Sequence, residues 1–249
     1  MVETLSLLYC PEVRHLKDAE EREAFLYPLI NPKSLCFDVG ANVGDVTETF
    51  LKLNAKKVVS IECDPQNIRI LKRRYHGNRK VEIVGKAVSD SNLTRSFYQV
   101  EEGSAYNTLS TKWKTILEDK QLNRLHETFR FTKECKVETI TLDSLIQQYG
   151  TPDCIKVDVE GYELNVFKGL HYQIPLIWFE ANLPEFLMES IESIRHLQGV
   201  NPKAVFNYTV RDLSNGAEFA FGEWVDHKVV IEAISKTETR YMQVFCKNA

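Results

Sequence analysis

Short apolar runs alternate with longer stretches in which apolar positions are spaced among charges along most of this chain. The runs read as buried strands and the spaced stretches as amphipathic helices. Residues 12–30 predict a helix that stops near Pro28 and Pro32. Ser34–Val39 (SLCFDV) predicts a strand, Asp45–Asn54 a helix, Lys57–Glu62 a strand, Pro65–Tyr75 a helix with Pro65 in its first turn, and Val81–Val84 a third strand. This order implies parallel pairing with right-handed crossovers, hence an α/β, doubly wound, Rossmann-like sheet.

Residues 91–142 break the rhythm, with strands at Ser96–Val100 and Arg130–Thr141 around a helix at Thr111–Leu125. Alternation then resumes: strand Cys154–Val159, helix Glu163–Leu170, strand Pro175–Glu180, helix Leu183–Leu197 and strand Ala204–Val210. A turn at Asn215–Gly216 and a last strand at Tyr241–Lys247 suggest a hairpin-like pair and one antiparallel edge strand. No repeat, low-complexity tract or linker is visible. The expected division is an N-terminal helical extension over 1–33 and one domain over 34–249, with 91–142 inserted.

The chain has 249 residues, of which 43% are apolar, so disorder, collagen and a coiled coil are excluded as global descriptions. Its net charge of −4 argues against a dedicated nucleic-acid binder. No apolar run approaches the ~18–20 residues that span a bilayer. The N-terminus has no basic start followed by a long apolar region, so no signal peptide and no membrane partner are expected. The six cysteines form no C-x-x-C pair and no zinc spacing. Cys36, Cys63 and Cys154 lie in strand-like runs and read as buried free thiols, which fits a reducing cytoplasm.

Candidate chemistry begins at Phe37-Asp38-Val39-Gly40-Ala41-Asn42-Val43-Gly44, a glycine turn between a strand and a helix. A dinucleotide site expects G-x-G-x-x-G, but Asn42 and Asp45 stand in the second and third slots, and an acid there opposes a pyrophosphate. No P-loop sequence exists. S-adenosylmethionine (SAM), cationic and without phosphate, suits the turn better. Asp38 can face the cation, and Gly40 and Gly44 let backbone pass close to a ligand. Glu62 ends the second strand, where an acid can accept from ribose hydroxyls; alone it would read as a surface carboxylate. Val88, Ser89 and Asp90 are placed to cradle adenine, with Asp90 on its amino group or else capping a turn.

FDVGANVG, SIECDPQN, GKAVSD, VETITLDSL and IKVDVEGYELNVFKGL together resemble the FkbM-type family of SAM-dependent methyltransferases, over about Ser34 to Glu180. The resemblance implies a class I methyltransferase fold, with seven strands and the last antiparallel. It also implies methylation of hydroxyl oxygens on sugars, polyketides and other small molecules.

Asp158 and Glu160 in IKVDVEGYE sit at a strand end beside the glycine turn. An alcohol is a poor nucleophile, so a base that takes its proton helps, and either carboxylate could act. A divalent metal, Mg²⁺ or Mn²⁺, held by Asp158, Glu160 and Glu180 is the alternative. Loop-orienting carboxylates that accept backbone N–H bonds are the plain reading, favoured for Glu163.

The run Arg69–Lys80 reads as a solvated helix face and not as an RNA patch, His171 as a surface histidine, and Trp178 as core. Glu102–Ser110 falls where an inserted loop could meet the acceptor. The N-terminal helix could close as a lid, cap the domain or join a homo-oligomer. The expected partner is a small-molecule or glycan hydroxyl. An RNA or protein acceptor, or a non-catalytic SAM-binding module, remains as an alternative.

Overall fold

The structure is a computed structural model that describes residues 11–123, 126–213 and 216–249, with side chains from residue 19 onward. Side chains alternate faces along a strand, and here both faces of the central strands are apolar. Cys36, Val58, Cys154, Trp178 and Phe245 pack with Leu26 of α1 (Pro11–Leu26) and Phe50 of α2 (Asp45–Lys52). Phe37, Val59, Ile155, Phe179 and Val244 take the opposite face. There they meet Leu145 of α5 (Leu142–Tyr149), Val166 of α6 (Glu163–Lys168), Ile194 of α7 (Leu187–Val200) and Val230 of α8 (His227–Lys236). A sheet apolar on both faces needs helices on both, which is what a doubly wound fold supplies.

The central strands are β1 (Leu35–Val39), β2 (Lys57–Ile61), β3 (Val81–Val84), β7 (Cys154–Val157), β8 (Leu176–Asn182), β9 (Ala204–Thr209) and β10 (Tyr241–Asn248). Their order is β3-β2-β1-β7-β8-β10-β9. Pairing is parallel from β3 to β8. β10 enters between β8 and β9, antiparallel to both, so the α/β class with antiparallel pairing towards one edge is as expected. β2 leads into α3 (Pro65–Arg74), whose start is set by Asp64 accepting from Gln66 N at 2.8 Å and by Pro65 behind it.

The inserted segment forms a second sheet in the order β4-β6-β5 from β4 (Ala87–Val88), β5 (Thr94–Gln99) and β6 (Lys133–Ile140), with α4 (Thr111–Glu118) between β5 and β6. α4 is shorter than expected, and Leu125, the end of that expected helix, lies outside the described residues, as do Cys10 and Asn215. Two helices were not anticipated, α5 and α8. α8 lies between β9 and β10, so these adjacent antiparallel strands are joined through a helix and not by a hairpin turn. No described helix is long and apolar enough to cross a membrane.

Candidate functional site

The carboxyl ends of β2, β1 and β7 lie side by side, and a cavity of about 260 Å³ opens there. The turn after β1 forms one wall. Gly40 and Ala41 N–H both donate to Ile61 O at 3.0 Å, which folds the turn back over β2. Gly40 has φ +74, and a Cβ there would lie 1.8 Å from the Asp158 carbonyl oxygen. The glycine is therefore demanded by the neighbouring loop, not by a ligand. Gly44, at φ +94, does not line the cavity; a side chain would run into Leu71 and Tyr75 of α3. Its carbonyl accepts from the Tyr75 hydroxyl at 2.7 Å. Asn42 holds φ 48, a conformation that asparagine tolerates, and lines the cavity.

Glu62 also lines the cavity and is fixed by three backbone donors: Asn42 N at 2.8 Å, Cys63 N at 2.8 Å and Asp64 N at 2.7 Å. Burial pushes its carboxyl above the usual range, and these N–H groups oppose that push. Asp64, 1% exposed, accepts through one oxygen from Gln99 at 2.8 Å, Asn107 at 2.9 Å and Gly103 N at 3.1 Å. It thereby ties the β2–α3 turn to the inserted segment.

The second wall is the loop after β7. Asp158 is 37% exposed at the side chain and lies 3.3 Å from the Lys156 ammonium. Lys156 is 7% exposed, 3.6 Å from Asp38, and donates to Gly40 O at 3.1 Å. Burial pulls this lysine's pKa down, yet Asp158 and then Asp38 outweigh it and hold the ammonium above its ordinary value. Glu160 has φ 55, and its carbonyl accepts from the Thr108 hydroxyl at 2.8 Å. Glu163 accepts from Val159 N at 3.1 Å and Gly161 N at 3.3 Å, the loop-orienting arrangement read from sequence. Burial raises its carboxyl to about 7, helped by Asp158.

Of the residues singled out in the sequence, Gly40, Asn42, Glu62, Val88, Asp158 and Glu160 surround this one cavity. Asp38, Gly44, Ser89 and Asp90 do not line it. Asp38 is fully buried beneath the turn, accepting from Thr47 at 2.7 Å. Ser89 is buried and its hydroxyl lies 3.3 Å from that of Tyr162. The Asp90 carboxylate turns outward to Arg95, Ser89 and Ser91. Among the described residues no three His, Cys, Asp or Glu side chains come together to hold a metal ion, so a site built on Asp158, Glu160 and Glu180 finds no support.

Sequence reasoning missed Lys156, Asn67, Asp212 and Gln243, all of which line the cavity, and did not connect Arg22 of α1 to it. Trp178 is core, as read, yet it also reaches the cavity floor. Ser104, Ala105, Asn107, Thr108 and Leu109, within the polar Glu102–Ser110 stretch, line the cavity too. Lys72, Arg73 and Arg74 are exposed, and Arg74 donates to Val43 O at 2.9 Å and to Asp45 at 3.0 Å.

The family model described as Methyltransferase FkbM domain matches residues 38–208. Over 55 residues the chain is 38% identical to "Probable ribosomal RNA small subunit methyltransferase A" from Methanosarcina barkeri, a match covering 22% of this chain and 19% of that protein. The chain thus spans about a fifth of the length of the curated relatives it matches. Among solved structures it is similar to precorrin-6y C5,15-methyltransferase from Geobacter metallireducens (10% identity, TM-score 0.45, 98% of this chain and 90% of that one). It is also similar to an rRNA methylase from Streptococcus thermophilus (10% identity, TM-score 0.44, 91% of this chain and 93% of that one).

Proposed function

Because this chain belongs to the FkbM-domain methyltransferase family, we propose that it moves a methyl group from SAM to a hydroxyl oxygen of a small molecule, a glycan or a secondary metabolite. The observation that carries this reading is the single cavity that joins the glycine turn, the Glu62 carboxylate and Asp158. The residues fit SAM. Glu62 is held rigid by backbone donors, two on Oε1 and one on Oε2, and Oε2 keeps a lone pair for a ribose hydroxyl. Asp45 and Asp64 beside it disfavour a pyrophosphate.

Gly40, Asn42, Glu62 and Val88 would hold the cofactor, which when bound supplies an electrophilic methyl group on a sulfonium. Asp158 and Glu160 orient the acceptor hydroxyl, and Asp158 takes its proton. Lys156 keeps that carboxylate and the Gly40 carbonyl in fixed relation, so the two walls are set before any ligand arrives. The Ser104–Leu109 loop, pinned to Asp64 by Asn107 and to Glu160 by Thr108, forms a further wall.

Calorimetry with S-adenosylhomocysteine tests the cofactor assignment: binding is expected, and neither heat nor a thermal shift would overturn it. Asp158→Asn should keep that binding and lose turnover; unchanged turnover rejects Asp158 as the base. The names of the curated relatives favour RNA as a second reading. Labelled-methyl transfer into cell extract, with the product treated separately by nuclease and protease, separates the two.

A further inference from the structure

Asn67 is 2% exposed and lines the cavity, yet its Oδ1 is buried without a hydrogen-bond partner. It stands in the first turn of α3, just beyond Glu62 on the same β2–α3 connection. The polar groups nearest in sequence are committed elsewhere. Asp64 takes four donors, from Gln66, Gln99, Asn107 and Gly103. On the other side Gly103 packs close against it, since a Cβ there would crowd Asn67 Oδ1 at 3.2 Å. A buried carbonyl oxygen without a donor is costly, and such a group on a residue lining a cavity points to a ligand that supplies one.

We propose that Asn67 reads the amino edge of the cofactor's purine, the role that Asp90, turned outward to Arg95, does not fill. This rests on the SAM reading above. A carboxamide carries one acceptor and one donor face in a rigid plane, and a half-turn exchanges them. The edge of adenine presents an exocyclic amine beside a ring nitrogen, a donor beside an acceptor, so the two match in a pair of hydrogen bonds. On the edge shared with N7, hypoxanthine puts a carbonyl beside that acceptor nitrogen, and two adjacent acceptors match neither orientation of the carboxamide. Glu62 at the ribose and Asn67 at the base would then sit on one connection, which places sugar and base in register.

The test is calorimetry of the full chain with S-adenosylhomocysteine and with S-inosylhomocysteine, its hypoxanthine counterpart. The wild type should prefer the adenine form by about ten-fold or more. Asn67→Leu, which fills similar volume, and Asn67→Ala should weaken S-adenosylhomocysteine by about ten-fold and bring the two ligands within about three-fold of each other. A merely structural role would move both affinities together and leave the preference intact. Equal wild-type affinity for both ligands overturns the proposal even where neither variant folds, as does a variant that keeps the preference. A wild type that binds neither ligand removes the SAM reading itself.

Discussion

Lys156 shows how one buried charge can organise a site. Its ammonium sits among Asp38, Asp158 and the Gly40 carbonyl. Removing one member of such a group leaves an uncompensated buried charge, at about 3–5 kcal/mol. Lys156→Met should lower stability by that order in chemical denaturation, and adding Asp38→Asn should recover much of the loss. Equal stability of the single variant and wild type would show that Asp38 does not depend on it. Glu163 gives a prediction with a defined pH window. A carboxyl whose folded value lies above its unfolded one gives stability that is complete below the unfolded value and lost as pH rises through the folded one. With Glu163 at about 7 against 4.5, wild-type stability should fall between pH 4.5 and pH 7. Glu163→Gln should gain about 1–3 kcal/mol at pH 8 and nothing at pH 4, measured by urea titration at the two pH values. At this scale legibility was uneven. Glu62 and Asp158 could be placed because they end strand-like runs. Lys156 could not, because Asp158 two residues on reads as a catalytic carboxylate, and a lysine inside CIKV gives no local sign of its second partner, Asp38 of β1. Asp90 looked like a ligand for the same reason in reverse: its true partner, Arg95, belongs to the start of β5.

Elements explain the two glycines better than ligands do. At Gly40 the obstructing atom is backbone, which cannot rotate away, whereas at Gly44 it is the ends of Leu71 and Tyr75. Both positions carry the left-handed strain of positive φ. Gly40→Ala should therefore be the more damaging, by about 2 kcal/mol or more, and should abolish S-adenosylhomocysteine binding in calorimetry. A Gly40→Ala protein no less stable than Gly44→Ala would contradict this. Thr141 caps α5 by accepting from Ser144 N at 3.1 Å, and Thr141→Ala should cost about 1 kcal/mol in thermal denaturation. The strands β1, β2, β3 and β7 were readable because each is a short apolar run bounded by turn or helix signals. α5 escaped because LDSLIQQY offers only two helical turns of pattern directly after a strand, too short for periodicity to register. α8 escaped for a related reason: its ten residues follow the irregular segment 216–226, whose scattered aromatic residues form no run that announces an element.

At the scale of the whole molecule, the doubly wound class was legible because strand–helix alternation runs through 34–84 and resumes over 154–210, and that rhythm permits few topologies. The crossing of β10 between β8 and β9 was less so, since apolar content does not encode strand order. β10 is paired on both sides, with Val244 fully buried between Phe179 and Tyr208 in register. Val244→Pro removes an N–H from a doubly paired strand, and the protein should lose cooperative unfolding by circular dichroism. A sharp transition near the wild-type midpoint would show that the β8–β10–β9 layer is dispensable. That arrangement also sets a timetable. β8 and β9 have no pairing with each other, so while the chain is emerging from a ribosome β9 and the far edge of β8 wait for a strand made after them. The side of the sheet from β3 to β8 can form during synthesis, since those five strands are neighbours made before the last one. The other side closes only when the last strand arrives, and until then β8 offers an open edge to any chaperone or neighbouring nascent chain.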